Sequence, residues 1–142
     1  MTGALSIEQA RPSVAAPNTD VESVFYWNGL KEHKLLLQKC GHCSRFRFPA
    51  MPSCPYCAAR ETTVVAASGN GSIYSWIVVH RAFDPAFYSD LPYTLASVDL
   101  EEGGRVVARL EGAQAQFGMP VHASYQDHTD WTELRFQPRG NI

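Results

Sequence analysis

Two C-x2-C pairs, Cys40/Cys43 and Cys54/Cys57, hold all four cysteines of this 142-residue chain, and residues 44–53 separate them. No other feature limits the possible folds as strongly. A tetrahedral metal such as zinc takes four soft ligands, with Zn–S distances of about 2.3 Å. One C-x2-C turn sets two sulfurs along one edge of the tetrahedron, and a second turn supplies the opposite edge. Gly41 relaxes the backbone of the first turn where amides fold back toward sulfur, and Pro55 fixes φ at the matching place in the second. The pattern predicts a zinc ribbon with Cys40, Cys43, Cys54 and Cys57 as ligands.

Other uses of the same residues weigh less. Two disulfides require an oxidising compartment, and no secretory signal pattern stands in the N-terminal residues. A redox pair accounts for one C-x-x-C, not for two joined by a short loop. Rubredoxin-type iron takes the same ligands, so spacing alone leaves zinc and iron open. Four thiolates close the coordination shell, which gives the metal a folding role and leaves no position for substrate.

Hydrophobic residues make up 45% of the chain, enough for a real core, while 18% charged residues is slightly low for a solvated monomer. Apolar surface kept for a partner fits that balance. Twelve basic residues against fourteen acidic ones give a net charge of −2. That argues against nucleic acid as a partner, although zinc ribbons and small barrels often bind it. No apolar run is long enough for a transmembrane helix, so no membrane partner is expected. Absence of a signal pattern and the need for reduced thiols point to the cytoplasm.

Residues 1–18 are rich in Ala, Ser and Pro and read as a flexible arm. Thr19 and Glu22 form a capping-box pattern that opens a helical segment over 19–33, with its helix ending near Gly29 as C-cap. Phe25, Tyr26 and Trp27 wrap that helix in aromatic surface, so it must be buried. The ribbon spans 34–61, with strands at 34–39 and 46–49. From residue 62 the pattern turns to short β-branched or aromatic runs at 62–67, 72–81, 93–100, 105–111, 121–125 and 132–137, bounded by turn signals. In the run from Arg105 to Leu110, Val106, Ala108 and Leu110 alternate with Arg105, Val107 and Arg109, which predicts one wet face. The fold class read here is mainly β: an N-terminal helical segment, a rubredoxin-like four-cysteine ribbon, then a small Greek-key barrel of the OB type over 62–138 and a tail at 139–142.

The longest interruption, residues 82–92, holds Phe83, Phe87 and Tyr88 together with two prolines. It predicts a loop folded over the barrel end, or an apolar lid or docking edge. His80, at the end of an apolar strand, reads as a hydrogen-bonded structural histidine, and His42 as a non-ligand inside a filled shell.

The ordered series resembles the family of zinc-ribbon plus OB-fold proteins associated with acyl-CoA enzymes, long labelled a domain of unknown function. The residues that carry it run from Phe25-Tyr26-Trp27-Asn28-Gly29-Leu30 through Leu37-Gln38-Lys39-Cys40-Gly41-His42-Cys43, Phe48-Pro49 and Cys54-Pro55-Tyr56-Cys57. They continue with Ser68-Gly69-Asn70-Gly71-Ser72-Ile73-Tyr74-Ser75-Trp76, Val79-His80-Arg81, Pro92-Tyr93 and Phe117-Gly118-Met119-Pro120-Val121. Two departures stand out: Ser44 and Ala58 occupy places after each turn where ribbons often have glycine. The resemblance implies a non-catalytic subunit, in a hetero-oligomer, of a thiolase-like enzyme, or of a related aldolase or hydratase, in fatty or aromatic acid metabolism. It implies that the chain binds the CoA part of an acyl-CoA and holds its partner in active form.

The residues agree with a non-catalytic role. A thiolase needs a cysteine nucleophile, and here every cysteine is committed to metal. CoA asks for cations at its phosphates and a flat apolar face for adenine. Two clusters offer these: Arg45, Phe46, Arg47 and Phe48 in the ribbon, and Arg81, Phe83 and Tyr93 at the mouth of the barrel. A single-stranded nucleic-acid-binding OB module and a ligand-free assembly scaffold are the alternatives.

Overall fold

The computed structural model describes residues 13–140. Most of the arm expected at 1–18 therefore lies outside the described residues, as do the last two residues of the tail. Helix α1 covers Val24–Lys31. Strands β1 (Leu36–Cys40), β2 (Phe46–Arg47) and β3 (Thr62–Ala66) form one sheet in the order β2-β1-β3. Strands β4 (Asn70–Val79), β5 (Tyr93–Leu100), β6 (Arg105–Leu110), β7 (Pro120–Asp127) and β8 (Thr132–Pro138) close a barrel in the order β4-β5-β6-β8-β7. Its pairs are antiparallel except β6 with β8, which run parallel through Arg109↔Arg135 and Leu110↔Phe136. Mainly β, with a helix, a four-cysteine ribbon and an OB-type barrel, the architecture matches the fold class read from the sequence.

The sequence placed the N-cap of α1 at Thr19, four residues before the observed Ser23, and the box-like bonding is shifted by one residue. The reciprocal bonds run between Asp20 and Ser23: the Ser23 amide donates to Asp20 Oδ1 at 2.9 Å, and the Asp20 amide to Ser23 Oγ at 3.3 Å. The helix also runs past Gly29. Its last turn closes with the Lys34 amide on the Gly29 carbonyl and the His33 amide on that of Leu30, His33 taking the left-handed position at φ 59°. Gly29 is needed for space instead: a Cβ there would fall 2.6 Å from Leu36 Cδ1, where β1 crosses the helix.

The run 62–67 was expected in the barrel. It pairs instead along all of β1, from Leu36↔Ala66 to Cys40↔Thr62. The reason is hydrogen bonding: β2 is only two residues long and cannot shield the apolar run Leu35–Leu37 alone. Residues 82–92 contain a short 3₁₀ helix, Pro85–Asp90, which the Asp84 side chain caps by accepting from the Ala86 amide at 2.9 Å. Ala86 is buried there, while Phe83 stays 95% exposed.

One core unites the parts. Tyr26 and Leu30 from α1, Leu35 and Leu37 from the ribbon, and Ile73, Val98, Val106, Val121 and Phe136 from the barrel pack in a single cluster. The wet face predicted for β6 holds at Arg105 and Val107 but not at Arg109. Arg109 is 9% exposed, its guanidinium lies 4.1 Å above the Tyr93 ring, and Nη1 donates to Asp90 Oδ2 at 3.2 Å. Among the described residues, no helix is long and apolar enough to cross a membrane.

Candidate metal centre and flanking surface

The two cysteine turns are built alike. In the first, the Ser44 amide donates to the Cys40 carbonyl and the Cys40 amide to the Arg45 carbonyl. In the second, the Ala58 amide donates to the Cys54 carbonyl and the Cys54 amide to the Ala59 carbonyl. Each turn then aims amides at its first sulfur: His42 and Cys43 at Cys40 Sγ, 3.3 and 3.4 Å, and Tyr56 at Cys54 Sγ, 3.4 Å. Gly41 allows a close approach, not an unusual φ. A Cβ there would meet Glu61 Cβ at 2.9 Å, because the Gly41 amide donates to the Glu61 carbonyl at 2.7 Å.

All four Sγ atoms lie within 4.8 Å of one another, with Cys40–Cys57 and Cys43–Cys54 both at 3.6 Å. A tetrahedral zinc–thiolate site has S···S edges of about 3.8 Å, given its bond length. The donor set fits electrostatically too. Amides of Cys43 and His42 hold the Cys40 thiol down to about 6. For Cys57 the Ala59 amide favours the thiolate, yet burial and the other three sulfurs outweigh it and push the thiol up to about 11. Four anions this close need a cation between them. Zinc held by Cys40, Cys43, Cys54 and Cys57 would supply that charge and tie β1 to the following loop. His42 is exposed and stands outside the cluster.

The seven residues expected to line a CoA channel divide sharply. Arg47 is 3% exposed; Nε donates to Gln38 Oε1 at 2.9 Å, and Nη2 donates to Thr62 Oγ1 at 2.7 Å and the Met51 carbonyl at 3.0 Å. Its guanidinium thus ties together β1, the loop after β2 and β3. Phe46 lies under Lys39 Nζ, 5.6 Å from the ring centroid, and Phe48 packs on Tyr26 with ring centroids 5.3 Å apart. Tyr93 is covered by Arg109. Only Arg45, Arg81 and Phe83 present exposed side chains, and no contact among the described residues joins the two clusters. His80 is exposed as well, and among the described residues it has no side-chain hydrogen bond of the kind expected of it.

A surface the sequence did not single out lies where ribbon and barrel meet. A groove of about 360 Å³ is lined by Tyr56, Asp99, Leu100, Gly103, Gly104 and Arg105. Arg45 stacks over Tyr56 at 4.7 Å, and Arg105 over Tyr74 at 3.7 Å, with Phe117 beyond at 6.4 Å. Asp99 accepts from Arg105 Nε at 2.6 Å. Tyr56 and Arg105 are far apart in the chain, so no local pattern could have paired them. On another side, a cleft of about 730 Å³ opens beside His128, Trp131 and Arg135.

Two family models match in tandem: "ChsH2, rubredoxin-like zinc ribbon domain" over residues 27–63 and "ChsH2, C-terminal OB-fold domain" over 64–126. The chain is 35% identical over 118 residues to a "Probable enoyl-CoA hydratase alpha subunit" of Thermomonospora curvata, covering 80% of this chain and 36% of that protein. It is 34% identical over 79 residues to "Benzoylsuccinyl-CoA thiolase subunit BbsA" of Thauera aromatica, covering 56% of this chain and 53% of that one. The chain thus spans little more than a third of the hydratase subunit and about half of the thiolase subunit. A solved structure described as "Ltp2-ChsH2(DUF35) aldolase" superposes with TM-score 0.78 at 34% identity, covering 87% of this chain and 98% of that one. Sequence order, cysteine geometry and barrel topology agree, and the chain belongs to the ChsH2 (DUF35) family of zinc-ribbon plus OB-fold proteins.

Proposed function

We propose that this chain is a non-catalytic, zinc-containing subunit that binds the CoA part of an acyl-CoA and holds a thiolase-like catalytic partner in its active form. The observation that carries the reading is the convergence of all four thiols on one site, which leaves no cysteine nucleophile for acyl transfer. Relatives described as a thiolase subunit and a hydratase alpha subunit support the place in a heteromer.

The CoA assignment is supported by the groove between ribbon and barrel. A flat ring beside a guanidinium suits an adenine face and its nearby phosphates. Arg45 is the better phosphate ligand of the two stacked arginines, since Arg105 is already tied to Asp99. Arg81 and Phe83 form a second exposed pair at the barrel mouth, while Arg47, Phe46, Phe48 and Tyr93 hold the scaffold behind them. Titration of CoA into the purified complex, with wild-type chain, Arg45→Ala and Arg81→Ala, tests this. Loss of one charged contact weakens binding about tenfold; unchanged affinity in both variants removes the assignment. Absence of any thiolase-fold protein from the purified complex would remove the partner.

A further inference from the structure

Strand β4 leaves part of one edge open. It pairs with β5 from Gly71 to Val79, but its pairing with β7 stops at Ser72. Ile73 still bonds to Gly118 and Met119, after which the neighbouring loop departs. From Tyr74 to Val79, no backbone partner lies along the second edge among the described residues. This stretch carries no charge and no proline, the devices that keep edges from pairing.

Both faces of the same stretch are apolar and exposed. Trp76 and Val78 share the barrel side with the fully buried Ala96, their register neighbourhood in β5, yet they are 41% and 47% exposed. They lose cover because the strand that would shield them has left. On the other face Ile77 is 61% exposed beside Leu95. An uncapped ladder flanked by apolar side chains on both sides is a template for an added strand.

We infer that the open edge of β4 takes an extended segment of the catalytic partner, apolar at its centre and carrying a carboxylate at the end that lies beside Val79. The identity of the partner rests on the function proposed above; the edge itself does not. The charge comes from what borders the strip. Arg81 follows it, exposed and without an ion pair among the described residues, whereas Arg105, over Tyr74 at its start, is already paired with Asp99. A second copy fits less well. The two-fold register that pairs all of Tyr74–Val79 sends the copy's His80 and Arg81 toward Ile73 and Ser72, where Met119 and β7 already occupy the edge.

Hydrogen exchange on the purified complex of this chain with its thiolase-fold partner, compared with the chain alone, tests the inference. Amides of Tyr74–Val79 become protected on complex formation. Ile77→Lys weakens association by about tenfold or more, while Val107→Lys, equally exposed but away from the edge, leaves it unchanged. A complex that forms without protecting this stretch overturns the inference and leaves the proposed function standing. Protection that instead grows with the concentration of the chain alone assigns the edge to a second copy and also overturns it. If no thiolase-fold protein binds at all, the proposed function fails, and the partner named here fails with it.

Discussion

Ser44 and Ala58 adopt the same left-handed backbone, φ 66° at each, at equivalent places after the two cysteine turns. Their amides close the same loop, onto the carbonyls of Cys40 at 3.1 Å and Cys54 at 2.9 Å. The turns therefore keep their geometry without the glycine that suits it, and the chain carries two strained residues beside its metal site.

That strain is removable. Ser44→Gly and Ala58→Gly should each raise the stability of the zinc-loaded chain by about 0.5–1 kcal/mol, the left-handed penalty less the added chain entropy of glycine. Thermal melts of the two variants and the double variant check this. No gain in either would mean that the turns relax without them.

Arg47 should act on stability before it acts on any ligand. Its guanidinium is buried on neutral acceptors from three segments, so Arg47→Ala strips the Met51 carbonyl of its donor and leaves Gln38 Oε1 with the Met51 amide alone. Urea denaturation should show a loss of about 2–4 kcal/mol. Arg45→Ala, at an exposed position just before β2, should change stability by less than about 0.5 kcal/mol.

Asp127 gives the barrel a pH dependence. The Thr132 hydroxyl, donating at 2.7 Å, and then His33, at 3.0 Å, hold its carboxyl below the ordinary value of 3.8. A depressed folded value stabilises the protein above the unfolded value, and the contribution is lost as pH falls through the folded one. Asp127→Asn should therefore be less stable than wild type near neutral pH, and the difference should vanish as pH falls through the depressed folded value. Denaturation curves across that range decide it; a difference that persists in strong acid points to packing instead.

Zinc removal should unfold the ribbon. Structural zinc in such sites contributes on the order of 10 kcal/mol of apparent folding free energy. After chelation, amide protection in β1 and β3 should collapse, and so should the contact between Phe48 and Tyr26 that joins ribbon to helix. Survival of β1 protection would show that the barrel alone holds the sheet.

The four-cysteine site was legible because its information is local: each C-x2-C turn makes its own bonds, and only the second edge of the tetrahedron comes from elsewhere. The barrel strands were legible for a similar reason, since alternation records which face is buried. Strand β3 was misplaced because its pattern reports burial but not which sheet supplies the hydrogen bonds. Arg47 and Arg109 read as solvent or ligand groups because charge usually means exposure, and only packed neighbours such as Gln38 and Tyr93 reveal otherwise.

By itself, then, the order of residues determined the metal ligands, the mainly β class and the absence of a spare thiol, because these follow from short-range spacing and composition. Tertiary structure alone decided which arginines are free, where Tyr56 meets Arg105, and that β4 keeps an open apolar edge. Those depend on where distant segments end relative to one another, and no periodicity along one segment encodes the place at which its neighbour departs.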